Sequence, residues 1–239
     1  MRDRTGNVWW SSYRRIFDVD VFHVDLAIND NLEAVAFGSL NSEERARWRN
    51  FLFPGPKRRF ALCRAALRHI ICERLSCKND QLTFGEAERG KPYALVLGRQ
   101  VSISFNVTHS GRHGLLAVGR SGRIGIDVEE RRSYRHIDLV SESVFGANEL
   151  CELKSVHGEH KVEMFFNLWT VKEALVKALG AGMSLDTSEF EVPERMRLGA
   201  KRGVFVFPHL PEVRWQLEDL SDRRFAAALA YEIPSSAVA

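Results

Sequence analysis

The chain has 239 residues, of which 45% are hydrophobic and 27% charged, a composition typical of folded globular proteins rather than disordered chains. It contains no apolar run of the roughly 18–20 residues that a membrane-spanning helix needs, and its polar, basic start lacks the apolar segment of a secretory signal. We therefore expect a soluble, cytoplasmic protein. The net charge of +3 is mild and does not by itself separate a nucleic-acid binder from an enzyme with anionic substrates.

The first half of the chain predicts strands around two helices. After a polar leader over residues 1–15, the apolar and polar alternation of residues 19–27 predicts a strand. Asn41 or Ser42 is a candidate cap for a short helix that ends near residue 51. The sequence P-G-P then predicts a break at residues 54–56. The other elements predicted for this half are a helix at residues 57–75 and strands at 81–84, 101–105 and 114–118.

The second half predicts three helices and five strands. Alternation over residues 124–129 (I-G-I-D-V-E) predicts a strand, whereas the glycines at 119, 122 and 125 are interpreted as turns because they match no phosphate-loop spacing. The other elements predicted here are helices at 139–145, 148–156 and 165–179 and strands at 189–192, 203–207, 213–220 and 225–232.

A faint internal repeat suggests two related halves. Residues 64–67 (R-A-A-L) resemble residues 172–175 (K-E-A-L), and the predicted strands at 81–84 and 189–192 have the same separation in sequence. Such a repeat indicates two similar α+β halves joined near residues 121–123.

Two carboxylates are predicted to share one face of the strand at residues 124–129. Residues two apart on a strand point to the same side, so Asp127 and Glu129 would lie together. Like charges this close repel unless a cation or solvent lies between them. Mg²⁺ prefers such oxygen ligands, with substrate phosphates and water. By itself, however, this segment favours a solvated acidic edge over a metal site.

The helix predicted at residues 165–179 carries Glu173 and Lys177 away from the centre of its apolar stripe. By themselves, a glutamate and a lysine four residues apart indicate a surface ion pair. A metal site would require Glu173 to join Asp127 and Glu129.

Candidate anion-binding residues lie in the first half. Thr108 and His109 end a predicted strand beside a glycine and offer donors to an anion, although a lone histidine is more often a structural hydrogen-bonder. Lys91 lies in a Gly-Lys-Pro turn. Arginine forks suit phosphates, but a solvated helix face and nucleic-acid binding remain open for the basic cluster. Its members are Arg45, Arg47, Arg49, Lys57, Arg58, Arg59, Arg64 and Arg68.

Four segments, in this order, resemble the 4′-phosphopantetheinyl transferase superfamily in its larger single-chain form. The segments are 90–92 (G-K-P), 105–110 (F-N-V-T-H-S), 124–129 (I-G-I-D-V-E) and 166–178 (F-N-L-W-T-V-K-E-A-L-V-K-A). The similarity extends over roughly residues 20–232. The combination favours the functional interpretation of Asp127, Glu129 and Glu173.

The resemblance implies an α+β fold with two similar halves, residues 16–122 and 123–234, related by a pseudo-two-fold axis, and coenzyme A bound in the cleft between them. The implied reaction transfers phosphopantetheine from coenzyme A to a serine of an acidic acyl or peptidyl carrier protein and releases 3′,5′-ADP. A monomer is expected, without a nucleic-acid or membrane partner. The alternatives are a coenzyme A or nucleotide-binding module without turnover, and a nucleic-acid-binding protein.

The resemblance also implies roles for residues of the second half. Asp127, Glu129 and Glu173 would hold Mg²⁺ against the pyrophosphate of coenzyme A. Glu173 would also take the proton from the carrier serine, and Lys177 would stabilise the phosphates. Which of Glu173 and Glu129 is the base stays open.

In the first half, the resemblance implies that His109 and Thr108 contact the 3′-phosphate or its neighbours, with Arg64 and Lys91 nearby. Thr108 stands where the family usually has serine, which keeps the hydroxyl. Ala181 stands where many members have lysine, which leaves the role of its loop in doubt.

Overall fold

The computed structural model describes residues 8–87, 90–131, 137–180, 182 and 185–233. Backbone contacts divide the chain into two units, one ending at Arg120 and one beginning at Ser121. Each unit combines helices with antiparallel sheet, so the α+β fold class is confirmed. The division into transferase halves at 16–122 and 123–234 and their pseudo-two-fold relation remain predictions. Among the helices of the described residues, none is long and apolar enough to span a membrane.

The N-terminal unit packs a long helix on an antiparallel sheet. The helices are α1 (Asp30–Gly38), α2 (Ser42–Asn50) and α3 (Pro54–Leu75), and a 3₁₀ turn spans Asn79–Gln81. The strands are β1 (Trp10–Ile16), β2 (Val19–Asp25), β3 (Leu82–Glu86), β4 (Pro92–Val96), β5 (Arg99–Gln100), β6 (Ser104–Ser110) and β7 (His113–Gly119). Over the described residues of this unit, the larger sheet has the strand order β1-β2-β7-β6, and a smaller sheet has the order β3-β4-β5.

Three predictions for this unit are wrong. Residues 10–15 are not a leader, because β1 pairs with β2 and the preceding Trp9, 3% exposed, donates its indole N–H to the Leu62 carbonyl. The P-G-P segment does not precede the long helix but forms its first turn, where proline needs no hydrogen-bond donor. Gly119 is not a turn but the last residue of β7. Helix α1 and strands β4 and β5 were not predicted. In contrast, Asn41 is confirmed as the cap of α2, because its side chain accepts the Glu44 N–H.

The C-terminal unit packs a long helix on a second antiparallel sheet. The helices are α4 (Ile137–Val144), α5 (Ala147–Ser155), α6 (Gly158–Leu179) and α7 (Glu194–Arg197), and a 3₁₀ turn spans Thr187–Glu189. The strands are β8 (Ile124–Glu130), β9 (Arg202–Val206), β10 (Arg214–Asp219) and β11 (Phe225–Glu232). Over the described residues of this unit, the sheet has the strand order β8-β11-β10-β9. The core of this unit contains Phe165, Leu168 and Leu175 of α6 and Trp215 and Leu217 of the sheet.

Two predictions for this unit are wrong. Residues 189–192 contain no strand, because the 3₁₀ turn ends at Glu189 and irregular backbone follows. The predicted internal repeat therefore loses its correspondence between strands at residues 81–84 and 189–192. Gly125 is not a turn but lies within β8.

Candidate active site

One face of β8 carries Gly125, Asp127 and Glu129, which alternate with residues on the opposite face. A Cβ added to Gly125 would lie 2.1 Å from the carbonyl oxygen of Ala174 and 2.3 Å from the amide nitrogen of Ala178. The missing side chain therefore lets the backbone of α6 lie directly against β8. The same alternation that brings α6 close at Gly125 turns the two carboxylates towards that helix.

Asp127 pairs with Lys177 of α6. Its carboxylate is buried, with 3% of the residue exposed, and the Lys177 Nζ donates to Oδ1 over 2.6 Å. A charge-assisted hydrogen bond between a buried acid and a partly buried lysine fixes the relative position of strand and helix. The pair also places the Lys177 ammonium of α6 beside the Asp127 carboxylate.

Glu173, one turn before Lys177 on α6, belongs to the same cluster. Burial raises the pKa of the Glu173 carboxyl, the charge of Asp127 raises it further, and Lys177 opposes both. The two carboxylates are therefore close enough to repel each other through a poorly solvated region. The structure thus brings Asp127, Glu173 and Lys177 together.

Glu129 is partly exposed and lies two residues beyond Asp127 on the face of β8 towards α6. Within the described residues, no three histidine, cysteine, aspartate or glutamate side chains are grouped so as to hold a metal ion. A site formed by protein ligands alone is therefore absent from that part of the chain. Mg²⁺, however, is usually held by one or two carboxylates with phosphate oxygens and water. Asp127 and Glu173 fit that donor chemistry, because a divalent cation would relieve their repulsion.

In the N-terminal unit, Arg64 lies on the side of α3 that faces β3. Its guanidinium carbon is 4.5 Å from the centre of the Phe84 ring, and its Nε is 3.7 Å from Glu44 Oε1. Burial lowers the pKa of the Arg64 guanidinium from its ordinary value, and Glu44 opposes this. The stacked, ion-paired guanidinium is therefore held in one place rather than free in solvent.

Arg64 lines a pocket of about 190 Å³ that Phe60 and Pro92 also line, and the other charged residues in its lining are Arg47, Glu43, Glu44 and Glu86. Pro92 directly follows Lys91, so the structure brings the predicted Gly-Lys-Pro turn to the pocket that Arg64 lines.

Thr108 and His109 are neighbours on β6 and leave opposite faces of the sheet. Thr108 is 6% exposed, whereas His109 is exposed. His109 pairs with Gly114, and a Cβ on Gly114 would meet the Cys63 sulfur of α3 at 2.8 Å. His109 thus leaves the sheet on the face that packs against α3. Joint contact of Thr108 and His109 with one phosphate remains a prediction.

Comparison with known proteins matches both units to one family. The model of the 4′-phosphopantetheinyl transferase superfamily matches residues 123–230, and the model of the 4′-phosphopantetheinyl transferase N-terminal region matches residues 29–120. The chain belongs to the 4′-phosphopantetheinyl transferase superfamily. The family match to the C-terminal unit includes all of β8 and α6, the two elements that carry Asp127, Glu173 and Lys177.

Three similar proteins support this family assignment. The Synechocystis protein slr0495 is 39% identical over 145 residues, covering 61% of this chain and 58% of its own length. The 4′-phosphopantetheinyl transferase HetI of Nostoc is 37% identical over 149 residues, covering 61% and 62%. The 4′-phosphopantetheinyl transferase psf-1 of Bacillus pumilus is 37% identical over 150 residues, covering 62% and 61%. The chain thus spans about three fifths of the length of these relatives.

Sequence reasoning missed Gly125, which lets α6 lie against β8, and the burial of Lys172 next to Glu173. Gly125 was treated as a turn, although its spacing of two from Asp127 within an alternating segment places both on one face. Lys172 was given no role, although it lies four residues after Leu168 and three before Leu175, on the apolar face of α6. Ala181, whose loop was left in doubt, lies outside the described residues.

Proposed function

We propose that this protein transfers 4′-phosphopantetheine from coenzyme A to a serine of an apo acyl or peptidyl carrier protein, as a holo-[acyl-carrier-protein] synthase. One observation carries the proposal. The buried Asp127 of β8 is 2.6 Å from Lys177 and beside Glu173 of α6, and these two elements contain the segments 124–129 and 166–178 that resemble the family. Together they supply acids and a cation, which a phosphoryl-type transfer needs.

Glu173 is the proposed general base. A serine hydroxyl is a weak nucleophile unless a base takes its proton, and a base works best when its pKa lies near the working pH. Burial and the charge of Asp127 raise the pKa of Glu173, which brings that pKa closer to a working pH near neutrality. Glu129 is the alternative base, since it lies farther along the same face of β8.

Asp127 and Glu173 are the proposed ligands of Mg²⁺, together with phosphate oxygens and water, and Glu129, farther along the same face of β8, remains a predicted third ligand. When bound there, the ion would neutralise negative charge on the pyrophosphate of coenzyme A. Lys177 already donates to Asp127, so its ammonium is placed to stabilise phosphate oxygens beside the same carboxylates.

In the N-terminal unit, Arg64, Lys91, Thr108 and His109 are proposed to bind the 3′-phosphoadenosine end of coenzyme A. Support comes from the Arg64 guanidinium, which stacks on Phe84 in a pocket bordered by the residue after Lys91. A fixed, planar guanidinium suits bidentate binding of phosphate.

Intact-mass spectrometry tests the proposal. The protein is incubated with coenzyme A, Mg²⁺ and a panel of apo-carriers from fatty-acid, polyketide and nonribosomal-peptide systems. We expect at least one carrier to gain the mass of one phosphopantetheine. Coenzyme A binding without any change in carrier mass would instead support a binding module without turnover.

A further inference from the structure

A buried ion pair joins Lys172, the residue before Glu173, to Glu149 of α5. Lys172 is 2% exposed and Glu149 is fully buried, with 2.7 Å between Nζ and Oε2. The same ammonium donates to the carbonyl oxygens of Thr187 and Phe190 over 2.7 and 2.6 Å. Its three N–H groups therefore each have an acceptor.

Glu149 is equally well satisfied. Its Oε2 accepts the N–H of Gly146 over 2.9 Å, and its Oε1 accepts the N–H of Val192 over 2.7 Å. The pair thus connects three parts of the C-terminal unit: the start of α5, the backbone of residues 187–192, and α6 one residue before the candidate base. These directional hydrogen bonds constrain both the axial position and the rotation of α6 on this side of the helix.

A gain in folding stability alone does not explain why this unit contains such a buried ion pair. Transferring two charges from water into a core is costly, and apolar replacements of similar size are often as stable or more so. Apolar side chains, however, lack direction and allow a helix to rotate slightly in its packing. At the radius of helix side chains, about 5–6 Å, a rotation of roughly 20° moves a side-chain atom by about 2 Å.

The position of Glu173 depends on that rotation. Glu173 follows Lys172 by about 100° around the helix, so when Lys172 points to Glu149, Glu173 is turned towards Asp127 on β8. On the side facing β8, Gly125 allows close contact with the helix backbone, and the hydrogen bond from Lys177 to Asp127 adds one directional contact. The Lys172–Glu149 pair provides the directional bonds on the side away from β8.

We propose that Lys172 is a positioning residue for the transfer reaction, acting with Glu149 to set the rotation of α6 and thereby the distance between Glu173 and Asp127. The inference rests on the proposed function. It assigns Lys172 no contact with substrate.

The test compares two variants of the full chain. Lys172→Met with Glu149→Gln removes both charges, so no unpaired ion is buried, and the glutamine oxygen can still accept from the Val192 N–H. The control is Leu217→Ala, which truncates a core residue of the same unit that is 1% exposed and lies outside the proposed site. Tm, kcat and the KM for coenzyme A are measured with a responsive apo-carrier, well below the Tm of each variant.

We expect the double variant to lose about 10- to 100-fold in kcat, because a misplacement near 1 Å can cost about 10² in rate, while its KM for coenzyme A stays within about threefold. Leu217→Ala should keep kcat within about twofold despite an equal or larger loss in Tm. A double variant with wild-type kcat, or one that loses no more kcat than Leu217→Ala, would overturn the inference.

A crystal structure of the double variant separates this inference from the proposed function. If the wild-type protein modifies no carrier, the proposed function fails, but the structure still decides the positioning role. A distance between Glu173 and Asp127 that differs by about 1 Å or more from the wild-type distance supports the positioning role, because a misplacement of that size affects the reaction rate. An unchanged separation overturns it.

Discussion

Gly125→Ala is expected to separate α6 from β8. The new Cβ would lie 2.1 Å from Ala174 O and 2.3 Å from Ala178 N, whereas ordinary contact begins at 3.4 Å. Both neighbours are helix backbone and no rotamer change relieves the clash, so α6 must move by about 1 Å. Overpacking of this kind typically costs about 1–3 kcal/mol, and each kcal/mol lowers Tm by roughly 2–4 °C in a chain of this size.

The same movement would carry Glu173 and Lys177 away from Asp127. A misplacement near 1 Å can cost about 10² in rate, so kcat should fall by about that factor while coenzyme A still binds. Tm is measured by calorimetry and kcat by carrier modification. The matched control is Gly203→Ala on β9, where the new Cβ would meet the flexible Met196 side chain. A Gly125→Ala protein with wild-type Tm and kcat would refute the close-packing argument.

Four further outcomes are expected. Asp127→Ala should nearly abolish transfer, and the wild type should need a divalent cation; full turnover in excess chelator would contradict both. Glu173→Gln should lower kcat by about 10²–10⁴ at every Mg²⁺ concentration, whereas recovery at saturating metal would leave Glu173 as a ligand only. Arg64→Ala should raise the KM for coenzyme A with little change in kcat; if the variant still distinguishes 3′-dephospho-coenzyme A as wild type does, Arg64 does not bind that phosphate. Burial raises the pKa of Asp219, but the hydrogen bonds from Lys201 and Ser221 together with the charge of Lys201 outweigh it, so the net pKa is lowered. The stability advantage of wild type over Asp219→Asn in urea should therefore shrink as pH falls below about 4, and a pH-independent difference would contradict this.

The elements around the site were largely predictable from periodicity. Alternation over residues 124–129 predicted β8, and the apolar spacing of residues 165–179 predicted most of α6, which begins earlier, at Gly158. Strand β1 was not recognised because it is an edge strand with mostly exposed side chains. Such strands need little apolar alternation.

The strand predicted at residues 189–192 does not form, for a reason that hydrophobic periodicity cannot reveal. Phe190 and Val192 do alternate with polar residues and are both buried. Their backbone groups, however, bind side chains instead of a neighbouring strand: the Phe190 carbonyl accepts from Lys172, and the Val192 N–H donates to Glu149. Such hydrogen bonds between distant residues are not encoded in local spacing.

Grouping of the site residues was only partly predictable. Spacing placed Asp127 with Glu129, and Glu173 with Lys177, but not the two pairs together. That juxtaposition depends on the contact at Gly125, where α6 lies against β8 without an intervening side chain.

The transfer itself is tested most directly by counting both products of one reaction. The protein is mixed with coenzyme A, Mg²⁺ and a responsive apo-carrier, and 3′,5′-ADP is quantified by chromatography alongside holo-carrier by intact mass. The control is the same carrier with its acceptor serine changed to alanine. We predict equal amounts of both products with the serine carrier and neither with the alanine carrier. Release of 3′,5′-ADP without carrier modification, or an alanine carrier modified as fully, would contradict transfer to that serine.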